Sequence, residues 1–217
     1  MMDALAKEYR GYPEDGDRYA YVKRGQDALL TLTAMVLLGP LFALIGLLVW
    51  LDCPEVSPIF TQTRVGKDGR KFRLYKFRTM EPNAEQNLEA LLGYNEMDGP
   101  CFKLRKDPRI TPFGRLLRRS GLDELPQLWN VLRGDMSLVG PRPALPREVV
   151  QYGAYERQRL TIRPGITCYW QIQPERNALS FEKWMELDMQ YLQDRSFLTD
   201  WKILFATVRA VLRMDGQ

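Results

Sequence analysis

The chain has 217 residues, of which 45% are hydrophobic and 27% are charged, and its formal net charge is +4. This composition fits one globular domain with a sizeable core, and it excludes disorder along the whole chain. The absence of histidine excludes a Ser-His-Asp triad, an HExxH zinc site and phosphohistidine chemistry. Catalysis would therefore use carboxylates, Lys, Arg, Tyr, Ser or Cys, and a metal would be an oxygen-ligated Mg²⁺ or Mn²⁺.

The N-terminal part of the sequence divides into an extension and a long apolar segment. Residues 1–22 show no clear period and are predicted to form a loose extension. No charged residue occurs from Ala28 to Leu51, and a helix of this length can cross the roughly 30 Å hydrocarbon core of a bilayer. Gly39-Pro40 lies in the middle of this run, where proline removes one backbone hydrogen bond and favours a kink.

The charges on either side of the apolar segment bear on its topology. Lys23 and Arg24 precede it, and a strongly basic stretch begins at Arg64. Both flanks favour the cytoplasmic side of a membrane. A helix over 23–52 that enters the membrane, bends at Pro40 and returns to the same face satisfies both flanks. A kinked transmembrane helix is the alternative that the residues alone leave open.

Basic residues form two clusters after the apolar segment. The first comprises Arg64, Lys67, Arg70, Lys71, Arg73, Lys76 and Arg78, and the second comprises Lys103, Arg105, Lys106, Arg109, Arg115, Arg118 and Arg119. Such clusters attract the phosphates of nucleotides, lipid headgroups or nucleic acids, although either one alone also fits a solvated basic face. No nucleic-acid recognition motif accompanies them, so a nucleic-acid partner is not expected.

The remaining sequence predicts short elements with turns between them. In chain order these are a β-hairpin over 59–63 and 72–77, a helix over 83–93, a loop over 93–100, a helix opening at Thr111-Pro112, a helix capped by Asp123 and ended by Gly134, an irregular turn at 140–143, a helix over 145–160, a loop over 161–180 and a helix from Phe197. The last helix carries an apolar stripe that fits either a core helix or one on a membrane surface. The predicted fold class is α+β and predominantly helical.

The candidate chemical centre is the pair Asp123-Glu124. Alone, such a pair at a helix start is a cap with a favourable charge for the helix dipole. Here Arg115, Arg118 and Arg119 immediately precede it, which places carboxylates beside an anion-binding surface. A carboxylate next to phosphate-binding arginines and a divalent ion can act as a phosphoryl-transfer nucleophile, and the second carboxylate can hold the ion or manage protons.

Several long motifs make the sequence recognisable. They are IFTQTRVGKDGRKFRLYKFRTM (59–80), DPRITPFGRLLRRSGLDELPQLWNVLRGDMSLVGPRP (107–143), RPGIT (163–167) and SFEKWMELDMQYL (180–192). With these motifs in this order, the chain resembles the bacterial sugar transferase family, the monotopic phosphoglycosyl transferases that prime exopolysaccharide and other glycan synthesis. The resemblance implies a re-entrant membrane helix followed by a catalytic domain over 53–217, on the cytoplasmic face of the bacterial inner membrane.

The resemblance also implies an activity and roles for single residues. Asp123 is implied to attack the sugar-bearing phosphate of a UDP-sugar and release UMP, and Glu124 is implied to bind Mg²⁺ or Mn²⁺ or to handle protons, with both carboxylates as candidate metal ligands. The implied phosphate or nucleotide contacts are Lys76, Arg78, Arg118 and the turn Pro141-Arg142-Pro143. The implied break of the re-entrant helix is at Gly39-Pro40.

The implied partners are a UDP-sugar donor, a polyprenyl (undecaprenyl) phosphate acceptor and membrane lipids, with a homodimer left open. The stretch GPCFKLRKDPRIT resembles members that transfer hexose 1-phosphate, which favours UDP-glucose or UDP-galactose. Two departures, Gly121 in place of a usual Ser and Cys168 in place of a common Gly, leave the Asp-Glu pair intact and bear on fine substrate contacts. The alternative from another class is a non-catalytic membrane scaffold for polysaccharide assembly, in which the pair would be dispensable.

Overall fold

The computed structural model describes residues 18–174, 176 and 178–212. Their helices are α1 (Arg18–Asp52), α2 (Pro112–Ser120), α3 (Gln127–Arg133), α4 (Pro146–Val150), α5 (Ala154–Arg157), α6 (Phe181–Asp194) and α7 (Phe197–Leu212), and their strands are β1 (Ile59–Val65), β2 (Lys71–Phe77), β3 (Ser137–Val139) and β4 (Gly165–Thr167). Short 3-10 turns occupy Lys67–Gly69, Gln86–Tyr94, Leu122–Glu124 and Gln158–Thr161. The predicted mainly helical α+β class is confirmed.

Helix α1 is longer and more continuous than the sequence predicts. It begins at Arg18, so the last residues of the predicted extension over 1–22 are helical, and residues 1–17 lie outside the described part of the chain. The helical backbone is not interrupted at Gly39-Pro40, where the resemblance implies a break, and a bend of the helix at this point stays a prediction. Proline removes only its own hydrogen bond to the preceding turn, and the bonds on either side maintain the helix. By length and composition alone, α1 could cross a membrane.

One face of α1 packs on the rest of the protein along most of its length. The buried residues of this face are Asp27, Thr31, Ile45 and Val49. Ile45 and Val49 pack with Phe77 and Leu117 in one core cluster, and Leu30, Ala34, Met35 and Phe42 pack against the main core. The opposite face exposes Leu29, Leu32, Val36, Leu37, Leu44, Leu47 and Leu51. An apolar surface therefore runs along the side of α1 that faces away from the core.

The N-terminal end of α1 is fastened to the folded part by charged side chains. The Nζ of Lys23 lies 2.6 Å from a carboxylate oxygen of Asp200, which is buried in α7. Arg24 donates to the carbonyl oxygens of Val131 (2.5 Å) and Leu132 (2.7 Å). These carbonyls belong to the last turn of α3, where intrahelical donors are missing. Lys23 and Arg24, whose charges favour the cytoplasmic side of a membrane, therefore also attach α1 to the folded part of the protein.

The predicted hairpin is confirmed as β1 and β2, which pair antiparallel with Ile59 opposite Phe77. Asn130 of α3 is fully buried and forms hydrogen bonds with the backbone of β2. Its Nδ2 donates to the carbonyl of Arg73 (2.6 Å), and its Oδ1 accepts from the backbone N–H of Tyr75 (3.1 Å). The position of Lys76, the residue that follows Tyr75 in β2, is therefore fixed relative to α3.

The segment after α3 differs from its prediction. The loop predicted over 161–180 contains β4, which pairs parallel with β3. A Cβ atom added at Gly165 would lie 2.1 Å from the backbone nitrogen of Gly140, so only glycine permits this approach. The helix predicted over 145–160 is divided into α4, α5 and a 3-10 turn.

Before α2, the helix predicted over 83–93 is present as the 3-10 segment Gln86–Tyr94.

Helix α7 confirms the predicted C-terminal helix but presents its apolar stripe outward. From that stripe, Phe197, Leu198, Phe205, Val208 and Val211 are exposed. The fully buried positions are Asp200 and Ile203. Asp200 accepts hydrogen bonds from Tyr19 (2.9 Å) and Tyr191 (2.7 Å) in addition to its ion pair with Lys23. The polar network thus faces inward, and the apolar stripe is not the core face.

Candidate active site

The Asp123-Glu124 pair lies in a 3-10 turn between α2 and α3. Gly121 ends α2 in the left-handed conformation (φ 70°), and α3 begins only at Gln127, after Pro126. The prediction that Asp123 caps α3 is therefore wrong, because the carboxylate lies a full turn before the helix. The Asp123 side chain is 10% exposed. It is buried without the capping bond that would have explained its presence.

Lys76 of β2 brings the two carboxylates together. Its Nζ lies 2.6 Å from an oxygen of Glu124 and 3.9 Å from an oxygen of Asp123. Adjacent residues on a helix point in different directions, which favours separate roles for the two carboxylates. In the structure both nevertheless lie within reach of a single cation.

Arg118 of α2 supplies positive charge near Asp123. Its Nε donates to the hydroxyl of Thr79 at 2.9 Å. A Cβ atom added at Gly114 would lie 2.1 Å from the Thr79 carbonyl oxygen, so glycine at this position allows α2 to lie against the end of the hairpin. Burial lowers the pKa of the Arg118 guanidinium, and the negative charge of Asp123 opposes that shift. Of the predicted site residues, Lys76, Arg118, Asp123 and Glu124 therefore lie together.

The two carboxylates differ in their protonation equilibria. Burial raises the pKa of Asp123 to about 6, an effect that Lys76 opposes and the charge of Glu124 reinforces. Burial also acts to raise the pKa of Glu124, but the charge and hydrogen bond of Lys76 outweigh it and hold that pKa below its ordinary value. Glu124 is therefore ionised throughout the neutral range, whereas Asp123 gains its charge only above about pH 6.

The pKa of Asp123 gives a prediction for the pH profile of any reaction that uses this carboxylate as a nucleophile. Activity should fall as the pH drops through about 6, because the protonated acid has lost the charged oxygen. Lys76→Met removes the neighbouring positive charge and should move this acidic limb to higher pH. An acidic limb that stays in place in Lys76→Met would show that it belongs to another group. Initial rates between pH 5 and 8 are the measurement.

The charge of Arg142 acts on the Asp123-Glu124 dyad, and the prolines on either side of Arg142 accept hydrogen bonds through their backbone carbonyls. The charge of Arg142 contributes to the lowered pKa of Glu124. Its guanidinium lies 3.4 Å from a carboxylate oxygen of Glu148. The carbonyl of Pro141 accepts from the backbone of Gly165 (2.9 Å), and that of Pro143 accepts from a guanidinium (3.0 Å). The predicted turn therefore contributes one charged side chain to this region.

Arg78 is placed differently from the other predicted site residues. Its Nε donates to the carbonyl of Ser57 at 2.9 Å, and its guanidinium carbon lies 5.7 Å from the centre of the Phe60 ring. These contacts hold the start of β1 against the end of β2. The structure thus places the contacts of Arg78 at the open end of the hairpin, with Ser57 and Phe60.

Two residues near the site were not singled out from the sequence. Arg64 is buried and donates to the carbonyl of Pro143, and burial together with the charge of Arg142 lowers its pKa to about 9. Glu148 is the buried partner of Arg142. Arg64 belonged to a basic cluster, but no local pattern distinguished it from its neighbours. Glu148 gave no signal at all, since an acidic residue in a helical stretch is common.

The donor set suits a hard divalent cation. No group of three or more His, Cys, Asp or Glu side chains that could hold a metal occurs among the described residues. Asp123 and Glu124 offer carboxylate oxygens that converge on one cation, the ammonium of Lys76. Mg²⁺ is commonly bound by one or two carboxylates together with substrate phosphates and water. The pair fits such a site with the substrate completing it.

A sequence model of the family described as bacterial sugar transferase matches residues 18–214. The chain belongs to this family. The match extends from the start of α1 to beyond the end of α7, and it includes every residue of the candidate site. The resemblance inferred from the motifs is therefore confirmed.

Similar curated proteins include one named for exopolysaccharide production and others named as sugar transferases. The chain is 40% identical over 198 residues to the exopolysaccharide production protein ExoY of Rhizobium meliloti, covering 89% of this chain and 87% of that protein. It is 38% identical over 203 residues to the undecaprenyl-phosphate galactose phosphotransferase of Salmonella typhimurium, covering 90% of this chain and 41% of that one. It is 48% identical over 158 residues to the galactosyl transferase CpsE of Streptococcus agalactiae, covering 73% and 35%. The chain thus spans less than half the length of the last two relatives.

Proposed function

We propose that this chain transfers a sugar 1-phosphate from a UDP-sugar to polyprenyl phosphate, with Asp123 as the covalent nucleophile. The observation that carries the proposal is the buried carboxylate of Asp123 beside the partly exposed Glu124, with Lys76 in contact with both and the charge of Arg118 acting on Asp123, in a chain of the bacterial sugar transferase family. Relatives named as transferases of galactose or its phosphate to a lipid carrier support the donor and acceptor classes. They also support the preference for a hexose.

In the first step a carboxylate oxygen of Asp123 attacks the phosphorus that carries the sugar. A new oxygen–phosphorus bond forms, and the bond from this phosphorus to the bridging oxygen breaks, so that UMP leaves with that oxygen and its electron pair. The enzyme then holds the sugar phosphate as an acyl phosphodiester on Asp123. Lys76 and Arg118 reduce the repulsion between the attacking carboxylate and the diphosphate.

In the second step a phosphate oxygen of the polyprenyl phosphate attacks the same phosphorus. The bond to Asp123 breaks, the carboxylate is regenerated, and the product is a polyprenyl diphosphate sugar. Neither step requires the aspartate to transfer a proton, which agrees with a chain that has no histidine. The ionised Glu124 remains available to hold a cation through both steps.

Magnesium or manganese is the cofactor that this arrangement would use. Asp123 and Glu124 would hold it, and when bound it would supply positive charge to the phosphate oxygens. Lys76 already lies between the two carboxylates, so its ammonium would share their charge with the ion.

We further propose that the protein lies on the cytoplasmic face of the bacterial inner membrane, with the exposed apolar faces of α1 and α7 in the lipid. Contiguous exposed apolar surface of this extent is unusual on a soluble protein and typical of membrane contact. Both ends of α1 contact the same folded part, through Lys23 at one end and Val49 at the other. That arrangement supports a re-entrant helix whose two ends remain on one side.

The purified full-length protein, incubated with UDP-sugars and undecaprenyl phosphate, should release UMP in the presence of Mg²⁺ or Mn²⁺. A screen of UDP-glucose, UDP-galactose and their N-acetyl derivatives would identify the donor. Chelation by EDTA should abolish turnover, and added Mg²⁺ should restore it. Full turnover in metal-free buffer would reject the cofactor, and no UMP release from any donor would reject the activity.

A further inference from the structure

The 141–143 turn is held by its backbone from three directions. Its three successive carbonyl groups accept hydrogen bonds, in order, from the backbone N–H of Gly165 (2.9 Å), the guanidinium of Arg159 (2.8 Å) and the guanidinium of Arg64 (3.0 Å). These donors come from β4, the 3-10 turn after α5, and β1. The main chain of the turn is therefore fixed whatever the side chain of Arg142 does.

The direction of the Arg142 side chain is set by a separate contact. Glu148 of α4 is 1% exposed, and one of its oxygens lies 3.4 Å from the guanidinium of Arg142. The same oxygen accepts a hydrogen bond from the backbone N–H of Leu145 at 2.8 Å. Burial acts to raise the pKa of Glu148, but Arg142 and the Leu145 N–H outweigh it and hold that pKa below its ordinary value. The carboxylate is thus an ionised partner that cannot move away.

Arg142 retains room to bind a ligand while it pairs with Glu148. Its side chain is 26% exposed, and a guanidinium has five N–H donors, of which one edge faces Glu148. Its guanidinium carbon also lies 5.8 Å from the centre of the Trp184 ring. Its charge also contributes to the lowered pKa of Glu124. The donors that do not contact Glu148 therefore remain available to an anionic ligand.

The charged residues around the 141–143 turn are three arginines and two carboxylates, so they include one more positive than negative charge. Arg159 is paired with Asp188 at 2.6 Å, and both are almost fully buried, so Arg159 does not compete for Glu148. Arg142 is paired with Glu148. Arg64 is bonded to a carbonyl and to an amide oxygen, and no carboxylate contact of its side chain is present among the described residues. A buried cluster with this imbalance is suited to an anionic ligand.

We propose that Glu148 is a positioning residue, whose carboxylate orients the Arg142 guanidinium to bind the diphosphate of the nucleotide-sugar donor. The inference rests on the proposed function, since it names the residue that prepares one part of the donor site. Glu148 does not touch the substrate. It acts through Arg142, and its removal should weaken donor binding more than it slows the chemical step.

A double-mutant cycle tests this. Glu148→Gln keeps an oxygen that can accept from Leu145 but removes the charge that orients Arg142. It should raise KM for the UDP-sugar and Kd for UDP by roughly tenfold, with a smaller change in kcat. In a protein that already carries Arg142→Ala, the same substitution should add almost nothing, because the partner is absent. The matched control is Glu186→Gln, an exposed glutamate whose loss should change neither constant.

Two further outcomes decide against the proposal. Additive effects of the two substitutions on KM and Kd would overturn it while leaving the proposed function intact. A lower Tm with unchanged KM and Kd would show that Glu148 only supports the fold. Should Glu148→Gln fail to fold, Glu148→Asp keeps the charge but withdraws it by one methylene and should show the same rise in Kd. If neither variant folds, the role is structural and the proposal fails.

The UDP titration separates this inference from the proposed function. Coupling between the two residues in UDP binding, without UMP release from any donor, would support the inference and reject the transferase activity. Activity with additive effects would do the reverse. A folded protein that binds no UDP and releases no UMP would overturn both.

Discussion

Replacing Asp123 with Asn is expected to reduce UMP release by at least about a thousandfold while the protein stays folded. Asparagine has the same shape, but its neutral amide oxygen is a far poorer nucleophile. Burial raises the pKa of Asp123, which means that the folded state disfavours its charged form. The neutral amide removes this unfavourable term, so the Tm should be unchanged or higher, as is common for functional residues.

Mass spectrometry of the protein incubated with UDP-sugar, without polyprenyl phosphate, measures the covalent step directly. An adduct of one sugar phosphate should appear on Asp123, with release of UMP, and it should be absent from the Asn variant. UMP then leaves before the acceptor binds, which gives ping-pong kinetics. Asp68→Asn is the matched control, because this exposed aspartate lies in the hairpin turn at φ 56°, a conformation that asparagine tolerates.

The same experiment separates the enzyme from a membrane scaffold. A scaffold would keep its function in the Asn variant and would form no adduct. An active Asn variant, or an adduct mapped to another residue, would contradict the proposed mechanism. The structure already removes one simpler explanation for Asp123, since its carboxylate does not cap a helix.

The parts of the fold that could be predicted are those whose signals are local. Thr111 caps α2 by accepting from the backbone N–H of Gly114, and Gly134 ends α3 in the left-handed conformation, as their residue types predict. The hairpin follows from alternation on both sides of a short turn. The grouping of Lys76 with Asp123 and Glu124 came from family motifs, and the structure confirms their proximity.

The remaining features depend on contacts between distant parts of the chain. The strands β3 and β4 have only three residues each and pair in parallel across a long connection, so neither shows a periodicity of its own. The buried face of α7 carries Asp200, which pairs with Lys23 from the other end of the chain. The apolar stripe of α7 therefore faces outward. Glu148 can be recognised as a candidate site residue only from its contact with Arg142. No single window of sequence contains these pairs.

The topology of α1 can be argued from its contacts. In an upright transmembrane helix, one end would be separated from the catalytic part by the thickness of the bilayer. Here the ion pair of Lys23 with Asp200 and the bonds of Arg24 hold the N-terminal end, while Ile45 and Val49 pack on the core near the other. Removing Lys23 from Asp200 would leave a buried carboxylate without its partner, which costs about 3–5 kcal/mol.

A single cysteine at the start of α1 should therefore be inaccessible from the periplasm. The variant is Arg18→Cys, an exposed position, in a protein whose three native cysteines are replaced by serine. A membrane-impermeant thiol reagent applied to intact cells should leave it unlabelled, and the same reagent should label it once the cells are broken. Labelling in intact cells at the level of a periplasmic control protein would mean that the helix spans the membrane.

Pro40→Ala should increase the labelled fraction of this cysteine variant, because alanine restores the missing backbone hydrogen bond and favours a straight helix. Leu37→Ala, an exposed substitution on the same helix, controls for a change in apolar surface and should not increase labelling. The increase should remain small, since a spanning helix would still have to break the contact between Lys23 and Asp200. Combining Pro40→Ala with Asp200→Ala removes that restraint, and labelling should then rise well above the level of either variant alone. Equal labelling in all of these variants would show that neither the proline nor the ion pair determines the topology.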